Sequence, residues 1–105
     1  MPTTGDNDWA LSGDAQSLID AIVTLDSRSD AQRFFRDLCT TRELNEMVAR
    51  WSVVRGLAQG ISYRALHDAT GVSTATITRI NDWVRNGTGG YGEALDRLGI
   101  EQVAR

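Results

Sequence analysis

Between Ser62 and Arg85 the chain reads SYRALHDATGVSTATITRINDWVR, two short amphipathic segments separated by Gly71-Val72-Ser73. Ser62 is placed to cap the first segment and Gly71 to end it, since glycine takes the left-handed conformation that closes a helix at little steric cost. Ser73 is placed to cap the second segment, and Val72 to plug the space between the two. At about 100° per residue, Ile77, Ile80 and Val84 gather on one stripe of the second helix. Thr74, Ala75, Thr78, Asn81, Asp82 and Arg85 fall on the other side. Two short helices with a three-residue turn and one small, polar outer face form a helix-turn-helix over residues 62–86, which places its second helix in the major groove of DNA.

The outer face carries its own argument. Threonine lowers helix propensity and adds no charge, so it is a poor choice for a merely solvated surface. Small residues let a helix approach the bases closely: Thr and Ala meet a thymine methyl, and Thr and Asn hydrogen-bond base edges. The expected DNA-contacting set is Tyr63, Arg64, Ser73, Thr74, Ala75, Thr78 and Arg85. Of these, Arg64 and Arg85 serve phosphates, while Thr74, Ala75 and Thr78 serve bases. Asp82 does not suit a phosphate-facing surface, and a place at the far end or a pair with Arg79 or Arg85 is expected for it.

The rest of the chain supports this unit. Residues 1–12 lack periodicity and read as a flexible tail, followed by a single helical domain over 13–105. Leu18, Ile19, Ile22 and Val23 mark a first helix over 15–25. Ser29 to Gln32 has the form of a capping box and opens a second helix centred on Phe34, Phe35 and Leu38. A further box, Thr40 to Glu43, opens the longest helix, which Gly60 closes. Within it Leu44, Met47, Val48, Trp51, Val54, Leu57 and Ala58 repeat at helical spacing and predict a core face. The glycine-rich run from Asn86 to Gly92 reads as a helix stop and a reversal into a last helix over 93–98. It follows a helix and lacks a lysine and a preceding strand, so it is no phosphate loop. The expected fold is all-α, with about six helices.

The 105 residues carry a net charge of −3, unevenly distributed. Residues 1–41 hold seven acids against three arginines, whereas residues 42–85 hold six arginines against four acids. The helix-turn-helix half is therefore the basic half. All basic residues are arginine, and a GC-rich genome accounts for that better than the preference of arginine for phosphate and guanine does. One cysteine, Cys39, allows no internal disulfide, and no apolar run approaches the ~20 residues of a membrane span. A cytoplasmic protein without a membrane segment is expected. No catalytic constellation is present. His67 is the only histidine, with no metal-ligand spacing to Cys39, so a structural or phosphate-facing role is expected. No catalytic residue, metal or cofactor is assigned.

The motifs LCTTREL, ARWSVVRGLAQGISYRAL, TGVSTATITR and NGTGGY, preceded by FFRDL, are similar to the Trp repressor superfamily, in particular its TrpR-like YerC/YecD branch. They span about half the chain, from Cys39 to Tyr91. The resemblance implies an intertwined, all-helical homodimer and a bacterial sequence-specific transcriptional regulator. It also places Tyr63, Arg64, Ser73, Thr74, Ala75 and Thr78 on DNA, largely the set obtained from the helical projection. By the same resemblance Arg50 and Arg79 correspond to the arginines flanking a bound tryptophan, and Thr40 to a threonine at the pocket edge. Ile80 and Trp83 stand where small residues would leave room for that ligand, so they are expected to fill the pocket. His67 stands where a small residue is common, which bears on the angle between the two helices.

The expected function is a non-enzymatic repressor that reads the major groove of double-stranded DNA as a dimer and does not require tryptophan. Two alternatives follow from other features. In one, Arg50 and Arg79 hold the carboxylate of a small effector. In the other, the acidic N-terminal half makes the chain a protein-binding helical adaptor.

Overall fold

A computed structural model describes residues 8–103, and the described residues contain six helices and no strand. These are α1 (Gly13–Val23), α2 (Arg28–Leu38), α3 (Thr41–Ala58), α4 (Tyr63–Thr70), α5 (Thr74–Asn86) and α6 (Gly90–Arg97). They divide into two compact units, one up to Asn45 and the other from Glu46 onward. Residues 1–7 of the expected tail lie outside the described residues. Residues 8–10 form a short helical turn, and the Gln16 amide donates to the Ala10 carbonyl at 2.6 Å.

Hydroxyl side chains decide where five of the helices begin. Ser12, Ser27, Ser62 and Ser73 each accept the amide of the residue three positions on, taking up one of the donors that a helix start leaves open. The Thr40–Glu43 capping box forms as expected: the Thr40 amide donates to Glu43 Oε1 at 2.8 Å, and the Glu43 amide donates to Thr40 Oγ1 at 3.1 Å. The Thr40 amide, and after it the Thr40 hydroxyl, hold the Glu43 carboxyl below its ordinary pKa, because both bonds favour the charged form. The cap of α2 departs from expectation. Ser27, not Ser29, is the capping residue, because the helix begins one position before Ser29 and places it in the first turn. Similarly α1 starts two residues early, at Gly13, and α6 three residues early, at Gly90.

At the end of α3, Ile61 donates its amide to Gly56 and Gly60 donates to Leu57, with Gly60 at φ +80°. This paired 6→1 and 5→2 pattern is a Schellman closure, and it needs the left-handed conformation that glycine supplies. The same pattern recurs after α6, where Ile100 bonds to Leu95 and Gly99 to Asp96.

The unit from Glu46 onward closes around Val53, Val54, Leu57 and Ala58 of α3, Leu66 of α4, Ile77 and Ile80 of α5, and Leu95 of α6. Each large aliphatic side chain withdrawn from water in this way contributes about 1.5–3 kcal/mol. Gly56 lets α4 approach α3 closely, since a methyl group there would overlap Leu66 Cδ2. The expected core face of α3 is correct only for its second half. Trp51 is half-buried against the core, but Met47 is 42% and Val48 65% exposed, while Val53 and Gly56 are buried instead. The apolar stripe runs the length of the helix, but only its second half is buried.

Candidate nucleic-acid interface

α4, the turn and α5 pack as the sequence predicts. Ile77 and Ile80 are buried, Val84 is half-buried against the core, and Thr74, Ala75, Thr78 and Arg85 are exposed. Tyr63 opens α4 and rests partly on the core, so its ring is anchored; Arg64 beside it is exposed. Among the described residues neither Arg64 nor Arg85 makes a hydrogen bond or ion pair.

The start of α5 is electrostatically open. Ser73 Oγ accepts the Thr76 amide at 3.2 Å and donates to Thr76 Oγ1 at 3.0 Å, so its hydroxyl is occupied in capping. The remaining first-turn amides have no intrahelical partner, which makes this end suited to an anion. The first turns of α1, α2, α3 and α6 each contain an acid, Asp14, Asp30, Glu43 and Glu93 respectively. Those of α4 and α5 contain none. An acid at a helix start is normally stabilising, and its absence from these two leaves their positive ends uncompensated.

Thr78 Oγ1 donates to the Thr74 carbonyl at 3.0 Å, leaving acceptor lone pairs and a methyl group to offer a base. The structure does not bring Arg85 to this end. It lies in the last turn of α5, roughly 16 Å along the helix from Thr74 at 1.5 Å per residue. There it lines a cavity with Asn81, Asn86 and Gln102. The Asn86 side-chain amide donates to Asp82 Oδ1 at 2.8 Å, toward the end of α5 remote from Thr74.

The residues assigned to a ligand pocket are less concentrated. Thr40 belongs to the other unit, where it caps α3. Arg79 donates to Thr76 Oγ1 at 3.1 Å, along its own helix. Ile80 is 1% exposed, a core residue whose edge reaches a 170 Å³ cavity lined also by Glu46, Ala49, Arg50, Val72 and Thr76. Arg50 also lines a cavity of about 410 Å³ with Trp83, Thr88, Gly89, Gly90 and Tyr91. Arg79 lines neither. Trp83 is 40% exposed and forms one wall of the larger cavity. The glycine-rich turn folds back on Trp83, whose carbonyl accepts the Gly87 amide, and carries Tyr91 to within 6.3 Å of Trp51.

Sequence reasoning overlooked Thr70 and left His67 between two roles. His67 Nδ1 lies 2.8 Å from the Val72 carbonyl, and the Val72 amide donates to Thr70 Oγ1 at 3.2 Å. A Thr placed one residue before a turn glycine was the available signal, because its hydroxyl can capture an amide two positions on. No cluster of three or more metal-ligating side chains occurs among the described residues, and no described helix is long and apolar enough to cross a membrane.

Residues 14–99 match the family model of the Trp repressor protein. The chain is 38% identical over 81 residues to the uncharacterised protein YerC of Bacillus subtilis (strain 168), an alignment covering 77% of this chain and 78% of YerC. A candidate Trp repressor from Staphylococcus aureus superposes with a TM-score of 0.84 at 34% identity, over 92% of this chain and 97% of that one. A TrpR-like protein from Eubacterium eligens ATCC 27750 has the same TM-score at 32% identity, over 92% of this chain and all 100% of the other.

Proposed function

This chain belongs to the Trp repressor family, and from that premise we propose that it is a bacterial, non-enzymatic DNA-binding regulator, a repressor that reads the major groove as a homodimer. The observation that carries the reading is the start of α5. Exposed Thr74, Ala75 and Thr78 adjoin a helix end whose first turn lacks acids. Such an end accepts a phosphate while small side chains approach the base edges. Two copies would insert their α5 helices into successive major grooves, with half-sites about one helical turn apart. Arg64 supplies phosphate contact near the reading end, and Arg85 reaches a separate part of the backbone.

The homodimer is supported by what one copy leaves uncovered. α1 and α2 contain no buried residue, although Val23 is 76% and Leu38 51% exposed on otherwise apolar stripes. Met47 and Val48 of α3 are exposed as well. Large apolar patches of this kind mark association sites. Residues 13–105 would then act as one dimerisation and DNA-binding domain in the cytoplasm.

Tryptophan independence is supported by Ile80, which is withdrawn into the core, and by Arg79, which is engaged with Thr76. Stoichiometric, micromolar tryptophan binding in calorimetry would overturn it. The open cavity beside Arg50 favours a second reading, in which a small carboxylate enters there and modulates DNA binding. A thermal-shift screen of small acids separates the two.

The decisive test of DNA recognition is selection of bound fragments from a genomic or random duplex library. Arg64→Ala is expected to weaken binding to all sequences and to reduce the salt slope by about one. Thr78→Val is expected to change which sequences are selected. Unchanged affinity and salt slope in Arg64→Ala would remove the phosphate role. Absence of retention on duplex DNA at low salt would favour the protein-binding adaptor.

A further inference from the structure

We propose that His67 and Thr70 are positioning residues: together they clamp the peptide groups of Val72 and so set where the reading helix α5 begins. The proposal rests on the DNA-binding reading of α5 and deepens it. Gly71 ends α4 at φ +75°, and its amide returns to the His67 carbonyl at 2.8 Å. Two residues later Ser73 caps α5. Val72 is therefore the only residue between one helix closure and the next helix start.

Both backbone polar groups of Val72 are held by side chains of α4. Its amide donates to Thr70 Oγ1 at 3.2 Å, and Thr70 Oγ1 in turn donates to the Leu66 carbonyl at 2.6 Å. Its carbonyl lies 2.8 Å from His67 Nδ1. A carbonyl only accepts, so Nδ1 carries the proton and donates. The apolar side chain of Val72 packs against the core. Three contacts of different kinds thus converge on one residue, and the next residue provides the cap of α5.

This arrangement gives His67 a use that its solvent exposure conceals. The imidazole lies on the outside of α4, where a small residue would leave the Val72 carbonyl to water. With the ring present, the turn is tied to α4 by α4's own side chains. The orientation of Thr74, Ala75 and Thr78 then depends on the bond from His67. A reading helix that can tilt loses discrimination between base sequences before it loses attraction to phosphate, because base contacts are directional and phosphate contacts are distributed.

The geometry of the ring makes a sharp test available. The amide nitrogen of asparagine can occupy the position of histidine Nδ1, whereas that of glutamine reaches the position of Nε2. The probes are the tightest duplex selected by the wild-type protein from a random library and a scrambled duplex of equal length. The readout is the ratio of the two affinities for the full-length chain. His67→Ala and His67→Gln are expected to lower this ratio about three- to tenfold, the loss of one hydrogen bond. His67→Asn is expected to stay within about twofold of wild type, less than the loss of one typical hydrogen bond. Thr70→Val, which removes the other anchor, is expected to lower the ratio as well. Amide hydrogen exchange at Val72 should quicken in the Ala and Gln variants but not in Asn. Far-UV circular dichroism confirms that each variant remains folded.

The proposal is overturned if Asn behaves like Ala, if Gln restores the ratio as well as Asn does, or if all three match wild type. If the wild-type protein selects no sequence from the library, the DNA-binding reading itself fails. That outcome is distinct from selection by the wild type combined with indifference to His67.

Discussion

Among the described residues, eight apolar side chains from Glu46 onward are withdrawn from solvent, whereas none up to Asn45 is, although both regions are built from amphipathic helices. In the later region α3 to α6 supply one another with apolar faces, and Gly56 allows the closest approach. In the earlier region α1 and α2 contribute Leu18, Ile19, Phe34 and Phe35, which reach only partial burial. Phe34 and Phe35 meet edge to face at 5.5 Å, a favourable contact but too small to make a core. The contrast separates two tasks. The later region encloses its own core, and the earlier one leaves its apolar faces only partly covered.

The strongest challenge to this division is a charge placed on the exposed stripe. For an isolated monomer, Val48→Asp on a 65% exposed position would change stability by no more than about 0.5 kcal/mol. If Val48 is covered by a second copy, the same change buries an unpaired carboxylate. It is then expected to weaken dimerisation by about a hundredfold or more. Sedimentation velocity across a concentration series decides between these outcomes, and retention of the helical signal shows that the later region remains folded.

Next in size is Leu57→Ala, at the centre of the later core and 1% exposed. Its expected cost is about 2–5 kcal/mol, from lost burial and the cavity left behind. It is read as a lowered denaturation midpoint. A cost well below that range would mean that the later region is not closed around Leu57.

The smallest effect concerns the cap of α3. Glu43 has a depressed pKa in the folded chain, against an ordinary value of 4.5. Its stabilising contribution is therefore present above that ordinary value and is lost as pH falls through the folded pKa. Thermal denaturation should show wild type more stable than Glu43→Gln near neutrality, with the gap narrowing as pH drops below the ordinary value of 4.5. A gap independent of pH would remove the charged-cap explanation.

Much of the fold was legible because its signals are local. Ser62, Ser73, Thr40 with Glu43, and Gly60 mark helix ends through bonds spanning three to five residues, and those marks hold. The buried stripe of α5 followed from spacing alone. The capping error at Ser29 arose because Ser27 and Ser29 both suit a helix start, and spacing does not separate them. Met47 and Val48 show another limit: periodicity identifies an apolar face but does not say how much of it the fold buries.

At the candidate site, the amino-acid order by itself determined which residues of α5 point outward, because helical geometry fixes their angles once Ser73 begins the helix. It also determined that α4 and α5 start without acids. The tertiary structure alone separated Arg79 from the cavities beside Arg50 and joined His67 and Thr70 to Val72. These are contacts of side chains whose direction depends on backbone turns and on neighbouring helices. A residue's face follows from its position in a helix, but its partner follows from what the rest of the chain brings to that face.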